Sequence, residues 1–105
     1  MQKFLVLYRS KMTAGEQMTS STPEERQAGM DEWMAWAAKA GDALVDFGSP
    51  TEPTSADDPG PAGWIGGYSI LQAEDAAAVN AVLEGHPHHQ VGTIEVLQLL
   101  PMPGS

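Results

Sequence analysis

The sequence contains no cysteine, which excludes disulfide bonds, thiolate nucleophiles and any zinc or iron–sulfur site built on cysteine. It is also poor in basic residues, with five Lys and Arg against 14 Asp and Glu and a net charge of −9. Affinity for nucleic acid comes mainly from clustered Lys and Arg, and anionic membrane surfaces attract the same residues. We therefore expect that this chain binds neither nucleic acid nor a membrane surface.

Sequence signals for export and for nucleotide cofactors are missing as well. The apolar run at the N-terminus ends at Arg9, too early for the core of a signal peptide or for a membrane span, so we expect a cytoplasmic protein. The pair Gly66-Gly67 lacks a G-x-G-x-x-G context, and neither a Gly-Lys-Ser/Thr sequence nor a G-x-S-x-G elbow occurs. We therefore expect no cofactor.

What remains has the composition of a globular protein, 42% hydrophobic and 18% charged, and a length that fits a single domain over residues 1–105. Residues 10–21 are polar and are predicted to be flexible. The proline-rich segment 49–63 is predicted to be a long loop, and residues 101–105 a tail. Apolar periodicity predicts strands over 3–9, 43–48, 64–73 and 93–100 and helices over 23–40 and 74–84.

This β-α-β-β-α-β order predicts an α+β, ferredoxin-like fold, in which a four-stranded antiparallel sheet carries both helices on one face. The first strand is apolar on both sides, with Phe4, Val6 and Tyr8 on one face and Leu5 and Leu7 on the other. Helices cover only one of these faces. A large exposed apolar face marks an interaction surface, and a second copy of the chain is the simplest cover. We therefore expect a homodimer through the sheet face.

Several short motifs, in their order and spacing, resemble those of the YCII-related family, including its DGPF-domain branch. They lie in all four strands and after the second helix: Lys3-Phe4-Leu5-Val6-Leu7-Tyr8; Gly41, Leu44, Val45, Gly48 and Pro50; Gly66-Gly67-Tyr68; His86-Pro87; and Gly92-Thr93-Ile94-Glu95-Val96. The resemblance implies a dimeric α+β barrel. It also implies a possible enzyme without naming a reaction, because the family has no agreed one.

The sequence departs from the family pattern at two places. The YCII branch carries a His–Asp pair with the histidine in the first helix, where this chain has Met30-Asp31-Glu32-Trp33-Met34 and no histidine. The DGPF branch has Asp-Gly-Pro-Phe before the third strand, where this chain has Asp57-Asp58-Pro59-Gly60-Pro61. The histidine half of the dyad therefore cannot be carried over.

The candidate catalytic residues are His86, His88 and Asp46. All three histidines of the chain fall in the segment 86–89, and imidazole serves as a base, an acid or a metal ligand near neutral pH. A solvated turn explains the same segment, and a metal site there needs a third ligand such as Asp46 or Glu95. Asp46 either faces a cavity, where poor solvation favours a general base, or lies on an edge strand in water.

The candidate substrate-binding residues are Arg9, Tyr8, Tyr68 and Glu95. Arg9 is suited to orient an anionic ligand, although an ion pair with Glu95 on the adjacent strand is the favoured interpretation. The two tyrosines are typical of core aromatics with a hydrogen-bonded hydroxyl. The hypothesis is a small cofactor-independent enzyme or binder of a small organic molecule, with a pocket between the sheet and the first helix. The alternative is a non-catalytic dimeric interaction or regulatory module.

Overall fold

The computed structural model describes residues 1–55 and 57–103, so one residue of the proline-rich segment and the last two of the tail lie outside the described part. Seven main elements follow one another in the described residues. They are β1 (Gln2–Ser10), α1 (Ala14–Ser20), α2 (Pro23–Ala40), β2 (Leu44–Pro50), β3 (Trp64–Ala73), α3 (Ala76–Leu83) and β4 (Thr93–Gln98). Short 3-10 turns cover Gly41–Ala43 and Pro87–Gln90.

The four strands form one sheet in the order β2-β3-β1-β4, and every neighbouring pair is antiparallel. This confirms the α+β, ferredoxin-like prediction. Phe4 and Val6 of β1 are almost fully buried, as are Leu71 of β3 and Val79 of α3. Trp36 joins them from α2 and donates its indole N–H to the Val82 carbonyl at 3.0 Å. The core therefore lies between one face of the sheet and the helices α2 and α3.

The prediction of only two helices was wrong, because residues 14–20 form α1 within the segment predicted to be flexible. Thr13 and Glu16 make a capping box, in which the Glu16 amide donates to Thr13 Oγ1 at 3.1 Å and the Thr13 amide to Glu16 Oε1 at 2.9 Å. No residue of α1 is buried. The spacing of apolar residues therefore gives no sign of this helix, whereas the capping box formed by Thr13 and Glu16 does.

Strand β2 continues to Pro50, two residues into the segment predicted to be a loop. The ladder between β2 and β3 is irregular at two places, on either side of Asp46. Gly48 has a φ of +84°, and a Cβ there would lie 1.7 Å from the Tyr68 carbonyl oxygen. Glycine is therefore required where β2 crosses close to the backbone of β3.

The second face of the sheet carries no helix in the described part of the chain, and it is apolar at its centre. Leu5 pairs with Ile70 on one side and with Leu97 on the other. Leu97 is 43% exposed and Leu99 is 42% exposed. Among the described residues, no helix is long and apolar enough to cross a membrane.

Candidate functional site

A cavity of about 370 Å³ lies between the sheet and the helices α1 and α2. Its walls come from β1, both helices, β2, β3 and the 3-10 turn after α3, and are mostly apolar. The lining residues are Tyr8, Ser10, Met12, Ala14, Gln17, Met18, Ser21, Arg26, Gly29, Met30, Trp33, Phe47, Ser49, Pro50, Gly66, Gly67, Tyr68 and His88. This size falls within the range of small-molecule sites, roughly 300–1,000 Å³.

Two features of the sheet make room for the cavity. The ladder between β1 and β3 shifts its register between Tyr8 and Arg9, opposite the glycine pair. A Cβ on Gly67 would lie 3.1 Å from the Ser49 carbonyl and 3.7 Å from Cδ2 of Tyr8. Glycine at this position therefore lets the Tyr8 ring and the end of β2 approach the floor of the cavity.

The hydroxyl of Tyr8 is already engaged inside the protein. It donates to Ser69 Oγ at 2.8 Å, and the Ser69 hydroxyl donates in turn to the Phe47 carbonyl at 2.7 Å. Burial raises the pKa of Tyr8 to about 12, and the hydrogen bond with Ser69 opposes this increase. At neutral pH the phenol is therefore protonated. Its hydrogen bond to Ser69 links β1 to β3 at the floor of the cavity.

His86 lies beside the cavity wall, in contact with residues that form it. It is 1% exposed. Its ring stacks on Tyr8 with centroids 5.0 Å apart and meets Trp33 and Trp36 edge-on, each at 4.4 Å. Burial first, and repulsion from the charged forms of His88 and His89 second, lower the pKa of His86 to about 4. His86 is therefore neutral at pH 7.

His88 is the predicted histidine that lines the cavity itself. Its Nε2 lies 2.8 Å from the Arg9 carbonyl oxygen, which can only accept, so Nε2 carries the proton and the neutral ring has its lone pair on Nδ1. Burial lowers the pKa of His88, hydrogen bonding with the backbone of Arg9 and Thr93 opposes that effect, and the charge of His89 adds to it. The ring is thus a neutral base on the cavity wall.

The remaining predicted residues are divided between the cavity and other places. Tyr68 lines the cavity. Asp46 is exposed on the edge strand β2 and accepts the Gly48 amide at 2.8 Å, which matches the solvated alternative for this carboxylate. Arg9 Nε pairs with Glu95 Oε1 at 2.7 Å, as the sequence favoured. The structure therefore brings together Tyr8, His86 and His88 and holds Asp46 apart from them.

The histidine segment is less exposed than the solvated turn that the sequence left open, because His89 is its one exposed histidine. His86 and His88 are both buried. Among the described residues, no group of three His, Asp or Glu side chains could hold a metal ion. One nitrogen of each of these two rings is already bonded to the backbone, His86 Nδ1 to the His88 amide and His88 Nε2 to the Arg9 carbonyl.

Sequence reasoning missed part of the cavity wall. Trp33 packs against the core from α2 and also lines the cavity. Gln17 and Met18 line the cavity from α1, and Met12 lines it from the segment just before that helix. The Thr-x-x-Glu pattern at residues 13–16 is the sequence feature that indicates the helix.

An antiparallel four-stranded sheet with a mostly apolar cavity under its helices defines a ferredoxin-like α+β protein. The sequence matches the family model of the YCII-related domain over residues 3–103, and the chain belongs to the YCII-related family. No curated protein sequence matches it.

Among solved structures, an enzyme of known name is similar to this chain over nearly its whole length. It is 5-chloro-2-hydroxyhydroquinone dehydrochlorinase (TftG) from Burkholderia phenoliruptrix AC1100, in complex with 2,5-dihydroxybenzoquinone. The similarity covers 93% of each chain, with a TM-score of 0.52 and 19% sequence identity. At this identity the comparison supports the fold and does not transfer an activity.

Proposed function

We propose that the cavity binds a small hydroxylated ring compound and that His88 accepts a proton from it, as a cofactor-independent acid–base site. The observation that carries this proposal is the neutral His88 ring on the wall of a mostly apolar cavity of about 370 Å³. A lowered pKa keeps the imidazole in its basic form at neutral pH, which general base catalysis requires.

The shape and chemistry of the walls suit a planar ring. Tyr8, Trp33 and Phe47 provide aromatic surfaces, and the methionines of α1 and α2 provide adaptable ones. TftG is named for its action on a chlorinated hydroxyhydroquinone and holds a dihydroxybenzoquinone, and both compounds are of this class. The proposal extends that chemical class, and not the dehydrochlorinase reaction, to this chain.

The charges around the cavity admit a ligand that becomes anionic. Among the described lining residues, Arg26 is the one with a formal charge, and its guanidinium donates to the carbonyls of Met18 and Ser21 at 2.9 and 2.6 Å. Although the chain has a net charge of −9, no carboxylate lies in the described lining. An ionised ring hydroxyl therefore meets no negative neighbour at the wall.

The proposed step is the transfer of one proton from the ligand to His88. A ring hydroxyl releases its proton to Nδ1 of His88, and the electrons of the O–H bond stay on the oxygen as a phenolate. The imidazolium then keeps its Nε2–H on the Arg9 carbonyl, which is a good acceptor for a charged donor. Burial opposes the charged ring, so transfer is reversible and the proton is available to a later step.

Thermal unfolding with added ligand tests the proposal. A compound that binds the native state alone must raise the melting temperature by mass action. We expect a rise with 2,5-dihydroxybenzoquinone, none with a linear dicarboxylic acid of similar size, and a reduced rise for His88→Gln. His89→Gln, which changes the exposed histidine of the same turn, is the matched control and should behave as the wild type. No rise with any hydroxylated ring contradicts the proposal.

We also propose that the helix-free sheet face is covered by a second copy of the chain. The support is the apolar centre formed by Leu5, Ile70, Leu97 and Leu99, two of which are more than 40% exposed. In a two-fold dimer each copy contributes the same surface, so the apolar patch of one copy would pack against the apolar patch of the other.

A further inference from the structure

The ring of His86 is held from several sides. Its Nδ1 accepts the His88 amide at 2.9 Å, which makes His86 the N-cap of the 3-10 turn Pro87–Gln90. Its own amide donates to the Leu83 carbonyl at 3.1 Å, and its carbonyl accepts the His89 amide at 3.1 Å. The residue is therefore locked both at its backbone and at its ring.

The second ring nitrogen of His86 has no function in this packing. Because Nδ1 accepts a hydrogen bond, the neutral ring carries its proton on Nε2. That Nε2 is buried and has no hydrogen-bond partner among the described residues. A buried donor without a partner destabilises the folded state, so a phenylalanine would fill the same aromatic surroundings more favourably. The polar atom that accounts for the presence of a histidine is Nδ1.

His86 Nδ1 accepts a hydrogen bond from the backbone amide of His88, the residue that lines the cavity. The His88 ring is fixed at its far end by the Arg9 carbonyl, and its own carbonyl accepts the amides of Val91 and Gly92, each at 3.0 Å. At the start of the turn, His86 Nδ1 holds the His88 amide and the His86 carbonyl holds the His89 amide. If the His88 amide is released, we expect the turn to shift and Nε2 to lose its contact with the Arg9 carbonyl.

We propose that His86 is a positioning residue that holds His88 with its proton on Nε2 and its lone pair on Nδ1. The proposal rests on the function proposed for His88. His86 itself does not line the cavity, so it acts through His88 and touches no ligand. The structural contribution of its ring and the positioning contribution of its Nδ1 are separable by substitution.

Two variants separate them. His86→Asn keeps an acceptor for the His88 amide, because an asparagine side chain caps the amide two residues on, but it loses the ring. His86→Phe keeps the ring and loses the acceptor. If positioning matters, the asparagine variant retains the behaviour of His88 and the phenylalanine variant does not; if His86 only fills space, the order is reversed.

Nitrogen NMR of the whole chain at neutral pH reads this out without any ligand. In the wild type we expect a resolved coupling across the hydrogen bond between the His88 amide nitrogen and His86 Nδ1, and a His88 ring protonated at Nε2 alone. His86→Asn should keep that tautomer, and His86→Phe should give a mixture of the two. Absence of the wild-type coupling overturns the proposal even where a variant fails to fold.

Titration with 2,5-dihydroxybenzoquinone gives the second readout. We expect binding by His86→Asn within about twofold of the wild type and binding by His86→Phe roughly fivefold to tenfold weaker, the size of one hydrogen bond. Equal tautomers and equal affinities in the phenylalanine variant and the wild type overturn the positioning role. A wild type that binds no ring compound counts against the proposed function, while the tautomer comparison still decides the role of His86.

Discussion

At the scale of single residues, the site combines buried histidines with backbone partners that fix their tautomers. The sequence placed His86 and His88 among the candidates because the imidazoles cluster within four positions. It did not separate the roles of the two histidines, because which ring nitrogen meets a carbonyl depends on Arg9, a residue 79 positions away. For Asp46 the sequence left a cavity-facing and a solvated position open, and the β2–β3 register is irregular on both sides of this residue.

The buried state of His86 predicts how stability depends on pH. Its pKa is about 4 in the folded chain and near 6.5 when unfolded, so the unfolded chain binds the proton more readily between these values. The free energy of unfolding contributed by this group is therefore complete above pH 6.5 and decreases as the pH falls, by about 3 kcal/mol at pH 4.

Chemical denaturation of the wild type and His86→Phe between pH 7 and pH 4 measures this contribution. The wild type should lose more stability than the variant over that range. His89→Asn, at an exposed position of the same turn, should lose as much as the wild type. Parallel curves for the wild type and His86→Phe would show that the folded chain accommodates a protonated His86.

Gly92 lies where the His88 ring meets β1. A Cβ at this position would lie 2.0 Å from the Arg9 carbonyl oxygen and 2.8 Å from His88 Nε2, so Gly92→Ala must displace the backbone or the ring. We expect a loss of about 2 kcal/mol or more in the free energy of unfolding, together with weaker ligand binding. Gly29→Ala is the contrast: its Cβ meets nothing within 4 Å inside α2, and it should add about 0.5–1 kcal/mol. Equal effects of the two substitutions would contradict the described packing.

At the scale of elements, the periodic spacing of apolar residues predicted the four strands and the helices α2 and α3. It did not predict α1. The ends of α2 match the predicted range 23–40, and capping residues mark both of them: Thr22 at the start and Gly41 at the end. Helix α1 carries the same kind of capping box but buries no side chain, so it contributes to the cavity wall without contributing to the core. Its stability depends on its cap and on a hydrogen bond from the Gly15 amide to Glu52.

The two capping boxes make a matched pair of substitutions. Thr13→Ala should speed hydrogen exchange of the Gln17 amide, the first helical bond of α1, with a change of less than about 0.5 kcal/mol in global stability. Thr22→Ala should instead lower global stability by about 1 kcal/mol, because α2 is packed into the core through Trp36. A global loss from Thr13→Ala as large as that from Thr22→Ala would show that α1 is part of the cooperative core.

At the scale of the whole molecule, the sheet has one face buried under helices and one apolar face without them in the described part of the chain. The sequence predicted both faces, because alternation along β1 and β4 is visible in the residues themselves. It also predicted a pocket between the sheet and the first predicted helix, but not the part of its wall formed by α1, the glycine pair of β3 and the end of β2. Distant segments create that part of the wall, and no local pattern reports it.

The proposed dimer gives a prediction at this scale. Leu97→Asp places a charge at the centre of the helix-free face and should convert a dimer to a monomer in light scattering at micromolar concentration. Val91→Asp, at a residue 60% exposed in the turn before β4, should leave the mass unchanged. A wild-type protein that is already monomeric at that concentration would contradict the proposed dimer.

The central claim is that His88 is a neutral base that takes a proton from a bound ring. Nitrogen NMR of the histidine rings during titration with hydroquinone, a hydroxylated ring that keeps its hydroxyl protons at neutral pH, measures that proton directly. We predict that His88 alone gains a second ring proton on binding, while His86 and His89 keep the forms they have in the free protein. Binding that leaves His88 singly protonated, or no binding at all, would contradict the account.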